Sequence, residues 1–140
     1  MYLLDTCFLS ELKKKKPDQR ALDAFADFAP SQIFMSVVTI GELAVGVEYL
    51  PPSARKQDLL RWLDKLQQRF NRTILPLSLP VMWRWARLTA DSRRQGFTLP
   101  AFDSLLAATA LEHQLTIVTR NVKDFQHTGV NVYSPWEVES

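Results

Sequence analysis

Residues 2–11 read Tyr2-Leu3-Leu4-Asp5-Thr6-Cys7-Phe8-Leu9-Ser10-Glu11. Leu3 and Leu4 carry no charge and lead straight into an aspartate, which reads as a short buried strand over Tyr2–Asp5. The pattern then becomes helical over Thr6–Lys14, a helix that runs out in lysines. The same alternation continues outward from this start. Asp18–Phe28 reads as a helix with Leu22, Phe25 and Ala29 at helical spacing. Ile33–Ser36 reads as a second strand, feeding a helix over Val37–Tyr49. The Pro51-Pro52 pair breaks the chain and opens an amphipathic helix over Ser53–Phe70, with Leu59, Leu63, Leu66 and Phe70 on one stripe. Thr73–Leu77 reads as a strand, and Leu79–Gln95 as a helix stopped by Gly96. Phe102–His113 is a small apolar helix. Leu115–Thr119 and Val130–Tyr133 close the pattern as strands. Strands separated by helices predict a parallel sheet covered on both faces. In such sheets the site lies beyond the carboxyl ends of the strands.

A chain of 140 residues fits one domain over 1–140 and is long enough to bury a core without staples. The 46% hydrophobic and 23% charged content is that of a globular protein, which excludes a disordered one. Cys7 is the single cysteine, so no intrachain disulfide forms, and a reducing cytoplasm is the expected location. No signal peptide or membrane-spanning run is read, so no membrane is expected as a partner. A net charge of +2 permits a polyanionic partner without requiring one.

The acids at the predicted strand ends carry the chemistry. Asp5 ends the first strand, and Thr119, Arg120 and Asn121 end the fourth. Ser36 ends the second, and Glu42 follows about one and a half turns into the next helix. Asp103 sits at the start of its helix, and Asp124 lies just past the fourth strand. A parallel sheet lets all four face one cleft. Carboxylates gathered in that way repel one another unless a counter-charge is present. All-oxygen ligands suit Mg²⁺ or Mn²⁺ rather than zinc, and such a site activates water and stabilises charge on a phosphodiester. Each acid also has a structural reading. Glu42 can close a capping box with Thr39, Asp103 can be an N-cap, and Asp124 can cap a turn begun by Asn121. Asp5, directly after a buried strand, is the hardest to read in this way.

Four segments, in order along the chain, carry a family resemblance. They are Leu3-Leu4-Asp5-Thr6 with Leu9-Ser10-Glu11; Ser36-Val37-Val38-Thr39-Ile40-Gly41-Glu42-Leu43; Leu99-Pro100-Ala101-Phe102-Asp103 with Ala107-Ala108-Thr109-Ala110; and Val118-Thr119-Arg120-Asn121 with Asp124-Phe125. Pro135-Trp136 also fits. The chain resembles the PIN-domain ribonucleases, specifically the VapC-type toxins of bacterial toxin–antitoxin pairs. The resemblance implies a three-layer α/β/α sandwich around a parallel sheet of four or five strands. It implies Mg²⁺- or Mn²⁺-dependent cleavage of RNA, leaving 5′-phosphate and 3′-hydroxyl ends. Asp5, Glu42 and Asp103 fall where the family keeps its metal-binding acids. A homodimer and a cognate antitoxin that blocks the active site are implied as well. The departure is Cys7, where the family carries an asparagine; thiols are weak hydrogen-bonding groups, and Cys7 reads as a small buried residue.

For the fourth acidic position, Asp124 is preferred over Asn121, because hard divalent ions favour anionic oxygen. Thr6, Thr119 and Asn121 are expected to support the acids. Arg120, Arg93 and Arg94 are candidate contacts to an RNA backbone, and Lys13 to Lys16 form a basic run just after the first helix. Trp62, Trp83, Trp85 and Trp136 read as core or dimer-interface residues rather than base-stacking platforms. Two other classes fit an acidic cleft: a PIN-like module that binds RNA or protein without cutting, which Cys7 favours, and a metal-dependent phosphatase.

Overall fold

The computed structural model describes residues 1–137. Five strands form one sheet: β1 (Tyr2–Leu4), β2 (Ile33–Ser36), β3 (Ile74–Leu75), β4 (Thr116–Val118) and β5 (Val132–Tyr133). Their order is β3-β2-β1-β4-β5, and every pairing is parallel. Six helices connect them: α1 (Thr6–Leu12), α2 (Gln19–Asp27), α3 (Val37–Glu48), α4 (Ala54–Arg69), α5 (Leu79–Arg94) and α6 (Ala101–His113). Among the described residues, no helix is long and apolar enough to cross a membrane.

The period of two along a strand divides the core. Leu4 and Val118 point to one face, where Phe8 and Leu9 of α1, Ala21 and Ala24 of α2, Leu43 of α3, and Leu63 and Leu66 of α4 cover them. Leu3 and Ile117 point to the other face, where Leu106, Ala107 and Ala110 of α6 pack, with Leu88 of α5 behind them. Two α-layers thus enclose the sheet, as the alternation of elements requires. Phe8 is fully buried and meets the Trp136 ring edge-on at 5.9 Å. Truncating a buried aromatic of this kind costs about 3–5 kcal/mol.

The elements are shorter than the sequence suggests wherever local turns claim the backbone donors. Thr73 gives its N–H to the Phe70 carbonyl at 2.9 Å, and Pro76 has no N–H, so β3 keeps two residues of Thr73–Leu77. The Leu115 N–H closes the end of α6 on the Ala110 carbonyl, so β4 begins at Thr116. The Val130 N–H goes to the Thr128 hydroxyl, which shortens β5. Lys13 and Lys14 bond back to the Ser10 and Glu11 carbonyls in a tightened last turn, so α1 stops at Leu12. Gly96, at φ +85°, turns the chain out of α5 toward α6.

Candidate active site

In strand order β3-β2-β1-β4-β5, the connections leave β1 in opposite directions, so a crevice opens between the carboxyl ends of β1 and β4. Asp5 and Thr119 sit at those ends. The Asp5 N–H holds the end of the β1–β4 ladder on the Val118 carbonyl at 3.2 Å. Its side chain is the N-cap of α1, with Oδ1 accepting the Phe8 N–H at 2.8 Å. Strand end and helix start together fix this carboxylate in place. It is 6% exposed. Burial pushes its pKa above the ordinary value, against the Thr119, Phe8 and Cys7 hydrogen bonds that pull it down.

Glu42 reaches the same crevice from α3, whose N-cap is Ser36; the Ser36 hydroxyl accepts the Val38 N–H at 3.0 Å. The capping box with Thr39 does not form. Thr39 is fully buried inside the helix, and its hydroxyl has no partner. Glu42 instead accepts the Thr6 hydroxyl at 2.7 Å, which ties α3 to α1. Asp103 is not an N-cap either. Pro100 takes that position, and Asp103 is the third residue of α6, in the turn where a helix favours negative charge. Its carboxyl is pushed up to about 6, first by burial and then by the charges of Asp124, Glu42 and Asp5.

Asp5, Glu42 and Asp103 line one pocket of about 410 Å³, together with Thr6, Cys7 and Asn121. Asp124 does not line it. It lies in a 3₁₀ turn, Val122–Phe125, opened by Asn121, yet its charge is the strongest of those acting on Asp103. Thr119 is fully buried and accepts the Asn121 N–H at 3.0 Å, which fixes the loop that carries Asn121. Ser10 and Lys14 also line the pocket, and sequence reading did not place them there. The signal was available, since Thr6, Ser10 and Lys14 recur every fourth residue along α1 and its last turn.

The basic candidates divide. Arg120 leaves β4 beside the crevice, lies over the Trp136 ring at 5.5 Å and comes within 3.7 Å of the buried Glu11. Glu11 also accepts Lys14 at 3.0 Å. Arg94 pairs with Asp91 at 2.6 Å, and neither it nor Arg93 lines the acidic pocket. Trp85 donates to the Ser104 hydroxyl at 2.9 Å and Trp136 is buried, so both belong to packing. Trp83 is 60% exposed.

The donor chemistry fits a hard divalent cation. Three carboxylates share one pocket, and two of them are held above their ordinary pKa, first by burial and then by the charges of neighbouring acids, which a bound cation would offset. Among the described residues, no three His, Cys, Asp or Glu side chains stand close enough to ligate one ion in this geometry. Asp5, Glu42 and Asp103 would be the residues to hold such an ion, and of these Glu42 is engaged by the Thr6 hydroxyl.

The PIN-domain family profile matches residues 2–131. Toxin FitB of Neisseria gonorrhoeae is 31% identical over 137 residues, which cover 97% of this chain and 99% of that protein. A VapC ribonuclease of Sinorhizobium fredii is 30% identical over 139 residues, 98% of this chain and 99% of that one. The crystal structure of FitAcB from Neisseria gonorrhoeae superposes with a TM-score of 0.94 at 31% identity, covering 99% of this chain and 100% of that one. With the family profile over residues 2–131 and sequence and fold shared over nearly its full length, the chain belongs to the PIN-domain family.

Proposed function

We infer that this protein is a metal-dependent endoribonuclease and the toxin of a toxin–antitoxin pair. The observation that carries the reading is the convergence of Asp5, Glu42 and Asp103 on one pocket at the switch point of the sheet, in a chain of this family. A fold that only binds RNA has no need to gather three carboxylates where a polyanion would lie. The relatives, a toxin and a ribonuclease by name, also count against a small-molecule phosphatase.

We assign Mg²⁺ as the working ion, with Mn²⁺ able to replace it, because the donors are carboxylate oxygens. When bound, such an ion supplies Lewis-acid polarisation and lowers the pKa of water. The residues of the chain do the rest. Asp5, fixed by the Phe8 N–H and by Cys7, is the rigid ligand. Glu42, held by Thr6, and Asp103, on the first turn of α6, complete the ligand set from two other elements. Asp124 adds charge from outside and acts through water; Asn121 orients the loop. Lys14 and Arg120 stand at the rim, both more than half exposed, where a phosphate backbone passes. The protein works in the cytoplasm, as a homodimer, with a cognate antitoxin that covers the acidic pocket.

The decisive experiment incubates purified protein with structured RNA. Cleavage is expected with Mg²⁺, to leave 5′-phosphate and 3′-hydroxyl ends, and to stop with EDTA. Asp5→Ala is expected to abolish it without unfolding the chain. RNA left whole by soluble wild-type protein in Mg²⁺ overturns the reading. Undiminished cutting by folded Asp5→Ala overturns the site.

A further inference from the structure

A second cavity adjoins the acidic pocket, and the reading above does not use it. It holds about 200 Å³ between α1, α3 and α4. Ser10, Lys14 and Glu42 form a wall common to both spaces, so the two are continuous. Leu59 and Trp62 of α4 give it an apolar side, and Lys13, Lys14 and Arg55 surround it with positive charge. Glu42 is its one acid, and that carboxylate is engaged by the Thr6 hydroxyl.

The cations are held in position. Lys13 Nζ lies 5.8 Å from the centroid of the Trp62 ring. Arg55 donates to the Lys13 carbonyl at 3.3 Å, which joins the start of α4 to the end of α1. Lys14 is anchored on Glu11 at 3.0 Å. An apolar slot of nucleobase size, rimmed by three exposed cations and opening onto the acidic pocket, matches a nucleotide in chemistry.

Gly46 is a further residue of the lining. Gly46 lies inside α3, where glycine costs helix stability relative to alanine. Its φ is not in the left-handed region that would require glycine, and a Cβ built there meets nothing within 4 Å. Neither backbone conformation nor packing explains it. Gly46 lines the cavity, and a larger side chain there meets no obstacle.

We propose that the cavity between α1, α3 and α4 is a nucleotide subsite. It takes the base next to the scissile phosphate against Trp62 and Leu59, with the flanking phosphates on Lys13, Lys14 and Arg55. This rests on the ribonuclease reading and adds to it the element that positions the strand.

Gly46→Leu tests it by filling the cavity without removing a charge. Binding of a labelled single-stranded RNA of about ten nucleotides, a length that spans such a site, is measured by anisotropy in EDTA. That readout is independent of the ion and of turnover. Gly46→Leu is expected to weaken binding about tenfold, the loss of one stacked base. Cleavage in Mg²⁺ should lose a similar factor, mainly through KM. Arg55→Ala and Lys13→Ala are each expected to reduce the slope of log affinity against log salt by about 0.7, one phosphate contact on a single strand. Lys15→Ala and Lys16→Ala, of equal charge but not lining the cavity, should leave the slope unchanged. Thermal melts check that each variant folds, and Gly46→Ala should melt higher than wild type. Wild-type binding and KM in folded Gly46→Leu overturn the subsite; a cavity that serves a protein partner instead would give that result. Equal slope losses in all the lysine variants overturn it too, because the attraction would then be diffuse. Failure of the wild-type protein to bind or cut RNA is a different result and overturns the ribonuclease reading itself.

Discussion

Cys7 lies at the centre of the acidic network. Its Sγ is 3.1 Å from both Asp5 oxygens and 3.7 Å from the Thr119 hydroxyl. Burial, and then the Asp5 charge, push the thiol up to about 11, so it stays protonated and donates to Asp5. A thiol in that state is neither a nucleophile nor a redox sensor. Cys7→Asn replaces a weak donor with an amide that also accepts. Cleavage of RNA by this variant is expected to equal or exceed wild type by a few-fold, and a loss beyond tenfold would give sulfur a role of its own. Asp103 makes a second prediction. Its carboxyl titrates at about 6 in the ion-free protein, above the ordinary 3.8. The folded state therefore holds a proton that the unfolded chain releases, and ion-free stability falls as pH rises from about 4 through 6. Asp103→Asn removes that penalty. Its ion-free stability should exceed wild type above pH 6, by about 1 kcal/mol once solvent screening of this half-buried group is counted, with a correspondingly higher melting temperature. The gap should close below pH 4. Added Mg²⁺ should reverse the order, because the ion stabilises only the chain that binds it. A variant that melts with wild type at every pH, in EDTA, would remove carboxylate repulsion from the account.

At the scale of elements, the acids are placed by how helices start. Asp5 caps α1 directly after β1, and Ser36 caps α3 directly after β2, so strand ends and helix starts that lead to the candidate acids share the same few residues. The Thr39 hydroxyl, one turn into α3, is buried without a hydrogen bond. A buried polar group in that state costs about 1–3 kcal/mol. Thr39→Val keeps the shape and removes the hydroxyl, so the variant should melt at or above the wild-type temperature. A capping role for Thr39 predicts the opposite, a loss of about 1 kcal/mol, and a calorimetric scan separates the two.

At the scale of the molecule, apolar side chains remain outside. Val45 is 70% exposed, Leu79 74% and Phe102 54%, and a groove of about 470 Å³ runs between Val38, Val45, Leu77, Phe102 and Leu105. Monomeric proteins rarely leave a patch of this kind open. Glu42 lines both this groove and the acidic pocket, so a partner copy over this face would also frame the acidic crevice. Light scattering should give twice the chain mass of 16.1 kDa, and Val45→Glu with Phe102→Glu should return it to a monomer. A wild-type monomer at micromolar concentration would mean that this face serves something else.

The alternation of strand and helix settled the fold class, because period two and period 3.6 are properties of neighbouring residues. The four motif segments named the family and gave Asp5, Glu42 and Asp103, since short runs of residue types are local as well. What the sequence left open was set by distance in space. Whether Thr39 or Ser36 caps α3 depends on where β2 ends, and β2 ends where β1 and β3 stop pairing with it. Asn121 lines the pocket and Asp124, three residues on in the 3₁₀ turn after β4, does not, although its charge acts on Asp103. Lys14 enters the pocket, and Arg93 and Arg94 stay out of it, by the packing of helices whose sequence separation says nothing of their proximity. The cavity above Gly46 needs α1, α3 and α4 together, so no stretch of the chain could announce it.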